Sequence, residues 1–167
     1  MPVNIDVDKL DLQILSMLMQ DAQMPYTEIA KKLVVSGGTV HVRMKKMVSM
    51  GIVKGSHLEI DASLLGYDIC AFVGMFLEKG SMYNKIAKEL QSIPEITEIH
   101  YTTGRYGIFL KIISQNTREL RAVLNEKIQR IEGIQRTETF ISLEESLKRP
   151  IKILQLEELE EIEDGPR

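Results

Sequence analysis

A short run of small polar residues, followed by basic ones, is the part of the sequence best suited to binding an anionic polymer. The run begins at Ser36, and residues 33–57 contain no acidic side chain. Where such a run opens a helix, free backbone N–H groups and small side chains allow close approach to phosphate, and the first residues lie nearest the base edges of a major groove. The pattern therefore predicts a DNA-reading helix. Its candidate contacts are Ser36, Gly37, Gly38, Thr39, His41, Arg43, Lys45 and Lys46.

The basic residues of this run divide by the chemistry that they offer. Arg43 can pair with guanine through two hydrogen bonds, which would add sequence preference. Lys45 and Lys46 are better suited to phosphate, which adds affinity without reading sequence. A three-helix bundle with an ordinary solvated basic face is the alternative interpretation.

A second candidate site is a glycine-containing turn between two apolar segments. Its glycines would allow backbone amides to face an anion such as an amino-acid carboxylate, with hydroxyls and Arg105 nearby. Spacing alone favours a plain hairpin, and a dinucleotide-binding loop is excluded because the third glycine is missing. The residues concerned are Tyr101, Thr102, Thr103, Gly104, Arg105, Tyr106 and Gly107.

Residues with the spacing of a catalytic or metal site are not found. The three histidines lack metal-ligand spacing, neither Ser36 nor Ser142 has a partner base, and Cys70 is the single cysteine. Acidic residues interrupt any leader-like apolar segment near the N-terminus, and no apolar run approaches 18 residues. We therefore expect a cytoplasmic protein that is not an enzyme, needs no cofactor or metal and contacts no membrane.

The net charge of −3 is unevenly distributed along the chain. Residues 1–55 carry seven basic against five acidic side chains, residues 56–143 ten against eleven, and residues 144–167 four against eight. The excess of basic residues thus coincides with the candidate DNA-reading helix.

Periodicity in the first third predicts a helix-turn-helix domain at residues 1–51. A first helix follows Asp8, a second covers residues 26–33, and a third is capped by Ser36 and ended by Gly51. Residues 52–60 alternate like a short strand that Gly55 interrupts, so residues 52–66 are predicted to form a hinge strand and linker.

Residues 67–147 have the order strand, helix, strand, strand, helix, strand. The strands are predicted at 69–77, 96–103, 106–114 and 137–143; Pro94 stops the first helix, and Asn116 and Gly133 bound the second. This order is that of a ferredoxin-like βαββαβ sandwich with an antiparallel sheet, so the fold class is α+β. The central strands are apolar on both faces, which favours a homodimer packed sheet to sheet, although a covering tail or partner protein is an alternative.

We assign no function to the acidic tail, residues 148–167. Leu156, Leu159 and Ile162 could mark a short amphipathic helix, and a solvated tail is the alternative.

With these features in place, the chain resembles the Lrp/AsnC family of feast/famine regulators, and most of all its asparagine-responsive members. Residues 38–43, 65–68, 101–104, 127–129 and 137–139 carry the resemblance. It implies a winged helix-turn-helix, an amino-acid-sensing domain, dimers formed through the sheets, and octamers. It also implies an effector, asparagine as first choice, bound between dimers at the 101–107 turn and near Thr137 and Thr139.

Two departures from the family pattern matter. Val34 stands where most members have glycine, so we expect a remodelled turn before the reading helix. Many members have acidic residues in the effector turn, where this chain has Arg105 and Gly107. Asparagine-responsive members also lack those acidic residues. The alternative functions are an amino-acid-binding regulatory module of metabolism and a chromosome-organising protein that responds to no effector.

Overall fold

The computed structural model of the chain describes residues 6–153, which divide into two compact units. Of the described residues, the first unit contains those up to Leu58 and those from Lys148 onward, and the second is Glu59–Leu147. The amphipathic helix suggested around Leu156, Leu159 and Ile162 lies outside the described residues.

Three helices form the first unit, as predicted. They are α1 (Lys9–Gln20), α2 (Tyr26–Leu33) and α3 (Gly37–Ser49). Asp8 caps α1, and Ser36 caps α3 by accepting a hydrogen bond from the Thr39 amide. Their apolar faces meet in a core built from Ile14, Ile29, Ala30, Val40, Met44 and Met47.

The turn between α2 and α3 keeps a left-handed residue, so the expected remodelling is wrong. Val34 adopts φ 54° and ψ 46°, and its side chain is 90% exposed. The amide of Val35 still donates to the Ala30 carbonyl and closes α2, while the Val35 side chain packs against the core. Because these contacts fix the turn on both sides, the backbone strain falls on Val34.

The predicted hinge strand is not formed within the single chain. Residues 52–60 form no strand among the described residues, because no neighbouring strand lies beside them to receive their hydrogen bonds. Instead the amides of Ile52 and Val53 donate to the Met47 carbonyl, which ends α3 in a tight turn.

The second unit has the predicted ferredoxin-like order. Its elements are β1 (Ile69–Leu77), α4 (Tyr83–Leu90), β2 (Ile96–Tyr101), β3 (Ile108–Ser114), α5 (Thr117–Ala122) and β4 (Ile134–Ile141), and α5 widens into a π-helical turn over Val123–Ile128. The sheet order is β2-β3-β1-β4, with every pairing antiparallel. Asn116 caps α5 as expected.

Strand ends differ from the prediction where turns intervene. β2 stops at Tyr101 and β3 starts at Ile108, because Thr102 bonds across the turn to the carbonyls of Tyr106 and Gly107. β4 begins at Ile134, earlier than predicted, because Ile134 pairs with Leu77 at the end of β1.

The two sides of the sheet differ in character. The helix side packs against α4 and α5 through Val73, Met75, Ile108, Leu110 and Ile112. The opposite side, called the open side below, is lined by half-buried Phe72 and Phe109, whose rings stack at 6.0 Å, and by Phe140, which is 48% exposed.

Candidate functional site

The N-terminus of α3 presents bare backbone. A Cβ placed on Gly37 would meet nothing within 4 Å, and one on Gly38 would meet only the Ser36 Oγ at 3.6 Å. The Ser36 hydroxyl lies 2.8 Å from that of Thr39 and holds the first turn. An anion can therefore approach the positive end of this helix dipole closely.

The basic side chains of α3 fall into two sets. His41 and Lys45 are exposed, with the His41 ring tilted against Tyr26 at 6.2 Å. Lys46 donates a 2.8 Å hydrogen bond to Asp6, and Arg43 is held by the N-terminus of α1. Among the described residues, Lys45 has no ion-pair partner.

Arg43 bridges two carboxylates at the start of α1. Its Nη1 contacts the Asp8 carboxylate and lies 3.2 Å from Asp11 Oδ1, and Asp11 is fully buried. Asp8 and Asp11 also cap each other's backbone amides at 3.0 and 3.2 Å. The hydrogen bond that Arg43 donates to Asp8 lowers the pKa of Asp8, and the two adjacent carboxylates, Asp8 first, raise the pKa of Arg43. The sequence analysis placed the start of α1 after Asp8, but it did not predict the contact with Arg43.

The glycine turn between β2 and β3 is anchored to β1. The Gly107 amide donates to the Met75 carbonyl at 2.9 Å, and Gly104 adopts φ 101°, which favours glycine. A Cβ on Gly104 would meet nothing within 4 Å. The tip of the turn therefore leaves backbone open beside Arg105.

An ionic cluster that the sequence analysis missed lies next to this turn. Glu138 accepts hydrogen bonds from Tyr106 at 2.6 Å, Arg136 at 3.0 Å and Arg105 at 3.3 Å. The hydrogen bond from Tyr106, and then the two arginines, lower the pKa of Glu138, while Glu138 raises the pKa of Tyr106. The Arg136 guanidinium stacks over Phe76 at 4.1 Å.

Strand register explains this cluster. Gly74 pairs with Glu138 and Phe76 with Arg136, so these side chains share the open side of the sheet. A Cβ on Gly74 would lie 2.6 Å from the Tyr106 ring, so glycine is what allows Tyr106 to lie flat across β1. Two-residue alternation in β4 was the signal that could have found Arg136 and Glu138.

The predicted effector residues lie on both sides of the sheet. Thr137 pairs with Met75 and Thr139 with Val73, which places both threonines on the helix side. Tyr101 is on the same side, with its ring 4.2 Å from that of Tyr83 on α4. Tyr106, by contrast, belongs to the open side through Glu138.

Within residues 6–153, no group of three His, Cys, Asp or Glu side chains could hold a metal ion. In the same part of the chain, no helix has both the length and the apolar character needed to cross a membrane.

Known proteins resemble both units. A sequence model described as winged helix-turn-helix DNA-binding matches residues 7–54, and one described as the Lrp/AsnC ligand binding domain matches residues 70–151. Regulatory protein AsnC of Haemophilus influenzae is 48% identical over 147 residues, which cover 88% of this chain and 98% of that protein.

Solved structures agree with this fold. The structure of Escherichia coli AsnC aligns with a TM-score of 0.82 and 41% identity, covering 87% of this chain and 97% of that one. A Neisseria meningitidis transcriptional regulator, solved as a complex with L-Met, aligns with a TM-score of 0.79 at 17% identity, covering 86% and 94%. The second match shows the fold alone.

Proposed function

The chain belongs to the Lrp/AsnC family of transcription regulators, and from that premise we propose how it reads DNA, what it senses and how it assembles. It is a DNA-binding regulator whose second unit is a ligand-binding domain for an amino-acid effector. The proposal concerns the contact residues, the identity of the effector and the oligomer.

Contact with DNA is proposed at the exposed start of α3. The supporting observation is a helix N-terminus with bare glycines, followed two turns later by Lys45, which has no ion-pair partner among the described residues. The proposed contacts are Ser36, Gly37, Gly38, Thr39, His41 and Lys45. Arg43 and Lys46 flank this surface and are held by acidic residues, so they reach DNA only by leaving those partners.

A gel-shift series with Lys45→Ala tests the DNA surface. Because Lys45 is proposed to bind phosphate, its loss should weaken binding to a selected operator and to random duplex by the same factor and reduce the salt slope by about 1. Lys32→Ala is the matched control, since Lys32 pairs with Glu28 on α2. Unchanged affinity in Lys45→Ala would contradict this surface.

The effector is proposed to bind at the 101–107 turn, near Thr137 and Thr139, with asparagine as first choice and methionine as the next amino acid to try. The open backbone at Gly104 and the exposed Arg105 suit an amino-acid carboxylate. Calorimetry with a panel of amino acids identifies the ligand, and Arg105→Ala should weaken its binding while Arg118→Ala, at an exposed position of α5, should not. Binding of none of them, or equal effects of the two variants, would remove the site.

Assembly is proposed through the open side of the sheet, which pairs two chains into a dimer, with dimers joining into octamers. The half-buried phenylalanines of that side support the first step. If the effector acts through this assembly, asparagine and operator must change each other's affinity by the same factor. If the chain binds DNA and no amino acid alters that binding, a chromosome-organising protein is favoured. If the chain does not retain DNA even at low salt, a metabolic regulatory module is favoured.

A further inference from the structure

One stripe of α3 faces solvent along the whole helix. Its exposed members, each three or four residues from another member, are Gly38, His41, Val42, Lys45, Val48 and Ser49. All but the two valines are glycine or polar. Val42, at the centre of the stripe, is apolar and 66% exposed.

No contact within the described residues accounts for Val42. The core of the first unit does not include it, although it includes Val40, Met44 and Met47 of the same helix. Val48, the other exposed valine of α3, lines an apolar cleft with Leu15 and Ile52, whereas Val42 lies among the proposed DNA contacts.

Arg43 points away from this stripe. Its guanidinium lies against Asp8 and Asp11 at the start of α1, and one of those carboxylates is fully buried. Withdrawing the arginine would leave that carboxylate buried without its charge partner, which is costly. The arginine therefore holds α3 in the rotation that its buried face sets, and the side chain one position earlier faces outward.

We propose that Val42, rather than Arg43, is the central base-reading side chain of α3 and that it recognises the 5-methyl group of thymine. A valine side chain has no hydrogen-bonding group, and the thymine methyl is the apolar feature that a base pair presents in the major groove. Val42 is in the first two turns of α3, the part of a reading helix that reaches base edges. This inference rests on the proposed DNA surface of α3.

The test removes one methyl group at a time from DNA. An operator is first selected from random duplexes with the full chain, and each thymine is then replaced by deoxyuridine. The methyl contributes about as much as one buried CH₂, so the intact protein should lose about fourfold in affinity at one thymine of each half-site. Val42→Ala should bind the unmodified operator about fourfold more weakly and become insensitive to that replacement.

Two further variants separate the possible outcomes. Val48→Ala makes the same change on the same helix and should keep the full sensitivity to deoxyuridine; Lys45→Ala should lower affinity for every probe equally. A flat deoxyuridine scan, or Val42→Ala that keeps the wild-type sensitivity, overturns the role of Val42. If Lys45→Ala also leaves binding unchanged, the proposed DNA surface itself fails. Because Val42 is exposed, circular dichroism should show all three variants folded.

Discussion

At the scale of single residues, Val34 carries a conformation that its β-branched side chain disfavours. It occupies the left-handed region at φ 54° and makes no compensating apolar contact, since it is 90% exposed. The residue type identified the position, but the sequence could not tell whether the turn would change its conformation or the valine would adopt the left-handed one. The packed Val35 on one side and the Ser36 cap on the other decided that question.

Val34→Gly should therefore stabilise the first unit, by about 1 kcal/mol, since a left-handed non-glycine residue costs about 1 to 2 kcal/mol and glycine adds a smaller entropic cost. Hydrogen exchange of the α2 and α3 amides measures the change. Val48→Gly is the matched control: the valine there is 54% exposed within a regular helix, so the same substitution should destabilise. Equal effects of the two substitutions would contradict the strain.

Asp8→Asn tests whether Arg43 positions the reading helix. Asparagine still caps a helix, so the change removes chiefly the charge partner. If the contact positions α3, the affinity of Asp8→Asn for selected and for random DNA should fall. The loss of a negative charge by itself would instead raise both affinities, and Glu28→Gln measures that effect. An increase in Asp8→Asn equal to the increase in Glu28→Gln would exclude the positioning role.

The same contact predicts a pH dependence. The pKa of Asp8 is held below its ordinary 3.8 by Arg43, so the pair contributes stability above that pH, and the contribution is lost as the pH falls through the lowered pKa. Urea unfolding between pH 3 and pH 7 should show a shallower acid loss in Asp8→Asn than in the parent chain. Parallel curves would mean that the pair adds nothing.

At the scale of elements, local sequence signals were sufficient to predict helix starts and the length of β1. Asp8, Ser36 and Asn116 marked three helix starts correctly, and the apolar run gave β1 its full length. The ends of β2, β3 and β4 were not predictable, because they depend on pairing across the sheet. The contact between Arg43 and Asp8 spans 35 residues and likewise left no local signal.

Gly74→Ala should disturb the effector turn from the neighbouring strand. Its Cβ would lie 2.6 Å from the Tyr106 ring, so the ring must move off β1 and away from Glu138, at about 1 to 3 kcal/mol. We expect weaker binding of the amino-acid effector in calorimetry. Gly80→Ala is the control, because its Cβ would make only an ordinary 3.8 Å contact with the Tyr101 hydroxyl. Unaltered effector binding in Gly74→Ala would mean that the Tyr106 ring takes no part in the effector site.

At the scale of the whole molecule, the open side of the sheet is the surface through which we propose that two chains pair. Lys111, 6.0 Å from the Phe72 ring, pairs with Glu98 and Glu145, and the charges of the Glu138 cluster also pair with one another. Because these charges have partners within the chain, the surface can be buried against a second copy.

Phe140→Lys should break that pairing. A charge placed on each of two facing sheets would be desolvated without a partner, so sedimentation velocity should show a monomer where the parent chain is a dimer or larger. Leu64→Lys adds the same charge at an exposed leucine outside the sheet and should leave the assembly intact. An unchanged sedimentation coefficient for Phe140→Lys would place the interface elsewhere.

Cys70 lies on this same open side, opposite Ile113 and two residues from Phe72. Burial raises the pKa of its thiol, which lowers the fraction of reactive thiolate at a given pH. Since the chain has one cysteine, the rate at which Cys70 is alkylated reports on the interface and can be measured by mass spectrometry without any substitution. If dilution separates the subunits, or if the effector rearranges them, the alkylation rate of Cys70 should change in the absence of DNA.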